Sequence, residues 1–104
     1  MTLEKIGRLL VTVDPDVRRY FSQSENRAAY TYWEETQRLS LISNDVHAEA
    51  WRFYVHRYTK IENDEVAARL FRTLDQHPAI TVRYTVSVEP DTGYIHHVYE
   101  CEAY

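Results

Sequence analysis

Leu3, Ile6, Leu9, Leu10 and Val13 recur at three- and four-residue intervals, the spacing of one helical face. Gly7 falls inside this pattern and costs roughly 1 kcal/mol of helix propensity relative to alanine, so the helix is carried by its apolar stripe as far as Val13. The segment DPDVRRYF follows. Asp14 suits an N-cap, Pro15 the first helical position and Asp16 the positive end of a helix dipole. Together they predict a short second helical segment from about Pro15 to Phe21. Ser22 to Arg27 (SQSENR) is polar and reads as a loop.

The period then shortens to two. In AAYTYWEE, Tyr30 and Tyr32 point one way, and Thr31 and Trp33 the other, as in a strand. Thr36 to Val46 fits either a continuation of that strand or a structured loop, with Ser43-Asn44-Asp45 as a turn signal. Ala48 to Lys60 is the clearest strand. Trp51, Phe53 and Val55 form its core face; Arg52, Tyr54, His56 and Tyr58 form a second face, too apolar for an indifferent solvent surface.

Asn63 and Asp64 open a helix whose stripe is Val66, Ala67, Leu70, Phe71 and Leu74, with Arg69, Arg72, Thr73 and Gln76 turned away. His77-Pro78 stops it. Ile80, Val82, Tyr84, Val86 and Val88 alternate with Thr81, Arg83, Thr85 and Ser87, which predicts a half-buried strand. Pro90 and Gly93 supply a turn. Tyr94 to Tyr104 returns as a last strand with neither face cleanly apolar, as expected of an edge or interface strand. The order helix, strand, strand, helix, strand, strand predicts an α+β fold, with helices packed on a mostly antiparallel sheet. No repeat or linker divides residues 1–104, so a single domain is expected.

Composition narrows the function. With 44% apolar and 27% charged residues in 104 positions, the chain has the make-up of a folded domain. No apolar run approaches the roughly 18 residues of a membrane helix, and the N-terminal segment lacks the features of an export signal. One cysteine, Cys101, makes no internal disulfide and no cysteine metal cluster, and an intracellular origin is expected. Two glycines and no GxGxxG or GxxxxGK[ST] pattern exclude nucleotide binding through phosphate-cradling loops. A net charge of −4 with interspersed signs argues against sequence-specific DNA binding.

Candidate chemistry is sparse. His96 and His97 are adjacent and face opposite ways on a strand; His56 with His96 or His97 and Glu100 would converge only if the strand register allowed it. No HExxH or HxH spacing marks a metal site, and none is expected. Cys101 reads as a buried structural thiol. Glu34 and Glu35 alternate faces, while Glu100 and Glu102 share one near the chain end, where a closed pocket is hard to build. No catalytic residue and no cofactor is assigned. What stands out is tyrosine, nine in all. The face of Arg52, Tyr54, His56 and Tyr58, with Tyr30 and Tyr32 beside it, is open to three readings: packing against helices, contact with another subunit, or binding of a ligand or single-stranded nucleic acid.

The order of elements resembles that of the small tail terminator and tail-completion proteins of long-tailed bacteriophages and prophages. DPDVRRYF is similar to that family's Asp-Pro-x-Val turn into a short helix, and AAYTYWEE to its aromatic extended stretch. AEAWRFYVHRYTKIENDEVAARLFRTLDQHP is similar to its central strand and helix, and YIHHVYECEAY to its closing aromatic strand. The resemblance implies a non-enzymatic structural protein: a ring, usually hexameric, that caps the tail tube and presents a surface to the head connector. Its partners would be further copies of itself, the tail tube protein and the head connector protein, with no membrane and no sequence-specific nucleic acid. It would reside in the bacterial host cytoplasm during assembly and then in the virion tail. The subunit interface would use Arg52, Tyr54, His56, Tyr58, Tyr30 and Tyr32. Two alternatives stand beside it: a small ligand-binding or enzymatic domain with a concave sheet lined by Tyr54, Tyr58, His56 and Tyr84, and a regulatory interaction module.

Overall fold

Helix α1 runs Leu3–Val13, as the apolar spacing predicts, and is started by Thr2, whose hydroxyl accepts from the Lys5 amide at 3.2 Å. The structure, a computed structural model, describes residues 1–20, 27–43 and 46–104, without the side chains of 40–48. The second helical segment expected from Pro15 is not formed. Asp14 instead caps the C-terminus of α1, and its carboxylate accepts the Asp16 amide at 2.9 Å in an Asx turn. The same Asp-Pro-Asp signal serves a turn as well as a helix start, and sheet pairing decides between them. Arg18–Arg19 becomes a short strand, β1, parallel to Tyr32 and Trp33. Phe21 and residues 22–26 of the loop expected from Ser22 to Arg27 lie outside the described residues.

Strands β2 (Ala29–Ser43) and β3 (Val46–Thr59) form a long antiparallel hairpin. The stretch from Thr36 that sequence left open is therefore strand as far as Ser43; of the turn expected at Ser43-Asn44-Asp45, Ser43 is still strand and residues 44 and 45 lie outside the described residues. Glu35 pairs with Phe53 but Gln37 pairs with Arg52, which leaves Thr36 as a bulge. Past the bulge the alternation is reset. Helix α2 (Glu65–Gln76) is capped by Asp64, whose carboxylate accepts the Ala67 amide at 3.2 Å. Strands β4 (Ile80–Val88) and β5 (Ile95–Ala103) close the chain as a hairpin, with Gly93 at φ +75° in its turn.

The sheet order is β1-β2-β3-β5-β4, so the fold is α+β with both helices on one side of a mostly antiparallel sheet. The last strand is not the edge that its mixed faces suggested. β5 lies between β3 and β4, with Tyr99, Cys101 and Ala103 fully buried beneath the helices and His96, Glu100 and Glu102 on the opposite side. β4 is an edge strand instead, and its alternation is only partly honoured. Ile80 is buried and Val82 partly so, while Tyr84, Val86 and Val88 are exposed, the last two by 51% and 66%. The helix layer covers only the Ile80 end of this strand.

Ile6, Leu10 and Val13 from α1 and Leu70 and Leu74 from α2 close over Trp33, Phe53, Val55, Tyr99 and Cys101. Each large side chain fully buried this way contributes about 1.5–3 kcal/mol. The Tyr99 hydroxyl, buried with its ring, donates to the Ala67 carbonyl of α2 at 2.6 Å and so leaves no polar atom unmatched there.

The open face of the sheet as candidate functional site

Strand alternation that sends Trp33, Phe53 and Val55 under the helices sends their neighbours the other way. Tyr30 and Tyr32 of β2, Tyr54, His56 and Tyr58 of β3, and His96 of β5 emerge on the face opposite the helices. No helix among the described residues covers this face. Its rings nonetheless cover one another. Tyr30 stacks on Tyr58 with centroids 4.9 Å apart, Tyr58 on His96 at 4.1 Å, and Tyr32 on His56 at 4.5 Å. Tyr54 meets His56 edge-on at 6.1 Å. Cross-strand aromatic pairs of this kind each add roughly 0.5–1.5 kcal/mol beyond area burial. The ladder leaves Tyr32 only 9% exposed.

Ionic groups are threaded through the rings. His56 Nε2 lies 3.0 Å from Glu34 Oε1, and His56 Nδ1 lies 3.0 Å from His96 Nε2. Further along, Arg52 donates to Glu102 at 2.6 Å and to Gln37 at 3.1 Å. The Tyr104 hydroxyl and the Arg52 guanidinium, both donating to Glu102, hold its carboxyl below the usual range. Burial, followed by the neighbouring Tyr58 and Glu34, pushes the Tyr32 hydroxyl far above its usual value of 10.0, and burial does the same to a lesser degree for Tyr58. Burial, then the adjacent His56, lowers His96 from 6.5. The face is therefore amphipathic, largely neutral in its rings, and satisfied internally.

All six residues singled out from sequence, Arg52, Tyr54, His56, Tyr58, Tyr30 and Tyr32, lie on this one face. The reading in which they cover helix contacts is overturned, because α1 and α2 pack on the opposite side. A pocket of Tyr54, Tyr58, His56 and Tyr84 is not formed either: Tyr84 is on the helix side, stacked on Tyr99 and bonded through its hydroxyl to His97 Nδ1 at 2.5 Å. His56 does converge with His96, but the carboxylate that joins them is Glu34, not Glu100. Sequence could not find this trio, since it depends on the pairing of Tyr32 with His56 and of Tyr58 with His96.

Other reactive groups have structural duties. Arg57, unmarked in the sequence reading, is buried on the helix side and bonds Asp64 at 2.8 Å, Thr31 at 3.1 Å and Asp14 at 3.5 Å. It ties both helices to the sheet. Cys101 is fully buried, and burial pushes its thiol up to about 12, which keeps it protonated and unreactive. A cleft of about 550 Å³ opens between α2 and β4, floored by Ala67, Phe71, Tyr84 and His97; a smaller one of about 260 Å³ lies at Arg83, Glu100 and Glu102. Among the described residues, no three His, Cys, Asp or Glu side chains gather where they would hold a metal ion, and no helix is long and apolar enough to cross a membrane.

No protein-family model matches the chain, and no curated protein matches it in sequence. Among solved structures, a chain of the virion of a native gene transfer agent (GTA) particle is similar in fold, with a TM-score of 0.61 over 90% of this chain and 81% of that one, at 8% sequence identity. At that identity the likeness is one of fold.

Proposed function

We propose that this chain is a structural subunit of a phage-type particle, which associates with copies of itself through the open face of its sheet into a ring that caps the tail tube and joins it to the head connector. The observation that carries the reading is the aromatic face itself: a ladder of rings from Tyr30 to His96, uncovered by any described helix of the chain, in a fold like that of a virion chain. Tyrosine and arginine dominate the energetic centres of protein interfaces because they combine large contact area with a polar tip. The internal pairing of Arg52 with Glu102 and of His56 with Glu34 reduces the desolvation penalty of covering them. No catalytic group belongs to this role, and its setting would be the virion.

A ring needs heterologous contacts, in which one patch meets a different one on the next copy. The exposed edge strand β4, with Val86 and Val88, is a second surface distinct from the open face. Solution mass measurement followed by electron microscopy of concentrated protein tests the proposal, with co-sedimentation on tail tubes for a chain that closes only on its target. Rings, or binding to tube ends, that are lost in Tyr54→Glu or Tyr58→Ala while the fold is retained support it. A monomer that neither closes nor binds tubes refutes it.

A further inference from the structure

The hydrogen bonds of Glu34, His56 and His96 can be ordered from their fixed end. An ionised carboxylate only accepts, so the hydrogen of the 3.0 Å contact between Glu34 and His56 sits on His56 Nε2. In a neutral imidazole the other nitrogen is then bare. His56 Nδ1 must accept, and the 3.0 Å contact with His96 requires a hydrogen on His96 Nε2. One added proton fits this chain without breaking it. It enters at His96 Nδ1, the hydrogen on His96 Nε2 passes to His56 Nδ1, and His56 becomes an imidazolium held between a carboxylate and a neutral imidazole. A second added proton does not fit, because both nitrogens of the contact would then carry hydrogens.

We propose that Glu34, His56 and His96 form a proton-operated latch on the open face, closed with no or one added proton and released by the second. The rings attached to the two histidines give the latch its reach. Tyr32 stacks on His56, while Tyr58 and, behind it, Tyr30 stack on His96, so separating the histidines displaces both arms of the ladder. The groups facing the pair are Tyr32 and Glu34 from β2, Tyr54 and Tyr58 from β3, Glu89 beyond the end of β4, and Glu100 from β5, while His97, next to His96 in the chain, acts on it from the helix side. Glu89 favours protonation of His96; burial, His56 and His97 oppose it, in keeping with two separated steps. Resting on the reading of this face as a subunit contact, the latch makes that contact labile to acid.

Nitrogen-15 NMR of the histidine rings in the full chain, from pH 8 to pH 4, tests the latch. At pH 8 both His56 and His96 are expected as the Nε2–H tautomer. On acidification two distinct steps are expected, with the Tyr32 and Tyr58 ring resonances moving in the second. In His96→Gln, which keeps a donor but binds no proton, that tyrosine step should vanish. An Nδ1–H tautomer at pH 8, a single joint titration, or a tyrosine step unchanged in His96→Gln would overturn the proposal; the first two are read in the parent chain and do not depend on the variant's folding. Sedimentation at pH 7.5 and pH 5 reads the contact separately. A monomer at both pH values counts against the ring alone, since the latch is measured within each copy.

Discussion

Arg57 on β3 donates to Asp64, the N-cap of α2, at 2.8 Å, with each side chain only 8% exposed. The same Asp64 carboxylate accepts the Ala67 amide, so one group both starts the helix and neutralises a buried cation. Asp14, at the C-terminus of α1, stands 3.5 Å from the other side of the guanidinium. Both helix ends are therefore pinned to the sheet through one residue.

Removing Asp64 should be the most damaging single polar change in the molecule. Asp64→Ala leaves a buried guanidinium with a distant partner and is expected to lower stability by about 3–5 kcal/mol. Asp64→Asn keeps an acceptor for the Ala67 amide and should be milder than Asp64→Ala by about 1 kcal/mol, the worth of a cap. Urea unfolding followed by circular dichroism measures both; equal losses in the two variants would show that the cap contributes nothing.

Arg57 carries no motif that marks it in the sequence. It sits on the helix-side alternation with Phe53 and Val55, where a charge is anomalous, but its partners lie on three other elements and only the assembled fold brings them together. The elements themselves were legible, because α1, α2 and β3 follow the apolar periods closely. Two failures have local causes. Asp14-Pro15-Asp16 serves an Asx turn as readily as a helix start, and Thr36, as a bulge, breaks the period of two within β2. The third is topological: β5 looks like an edge because half of it is polar, yet it lies between β3 and β4, and its polar His96 and Glu100 stand on a face that no helix among the described residues covers. Strand alternation put Arg52, Tyr54, His56 and Tyr58 on one face; the register that joins His56 to Glu34 and His96 was beyond it.

Cys101 provides a test of core integrity. With its side chain fully buried and its thiol pushed up to about 12, it should not react with a thiol reagent at pH 8 in the folded chain, and should react at the rate of a free thiol in denaturant. Following colour release with and without urea measures this. Fast labelling of the native chain would contradict the packing of β5 beneath the helices.

The edge strand β4 should separate association from stability. Val86 and Val88 are more than half exposed and pack little, so Val86→Lys and Val88→Lys are expected to change stability by less than about 0.5 kcal/mol. A charge on an edge discourages pairing with another chain. Self-association at high concentration, followed by light scattering, should therefore fall in both variants while the urea midpoint stays within error. A large loss of stability would mean that these valines are covered within the monomer.

Stability should form a plateau bounded on both sides by titrations whose signs agree. Burial holds His96 and His97 below 6.5, so between their folded values and 6.5 the unfolded chain binds more protons, and stability falls as pH drops through that window. The Arg19 guanidinium and the Tyr20 hydroxyl hold Glu35 below 4.5. Its contribution is present above 4.5 and is lost as pH falls through its lower folded value, which extends the acid limb. On the alkaline side burial raises Cys101 from 9.0 to about 12, so the unfolded chain loses this proton first and stability declines as pH rises above 9. Tyr32 and Tyr99, raised from 10.0 by burial, act in the same direction from pH 10 upward. The melting temperature should accordingly be level between about pH 6.5 and 9 and fall on either side. His97→Gln should flatten the upper part of the acid limb, because Gln carries no charge to be desolvated; an acid limb of unchanged slope in that variant, measured by thermal denaturation from pH 4 to 8, would assign the limb to other groups.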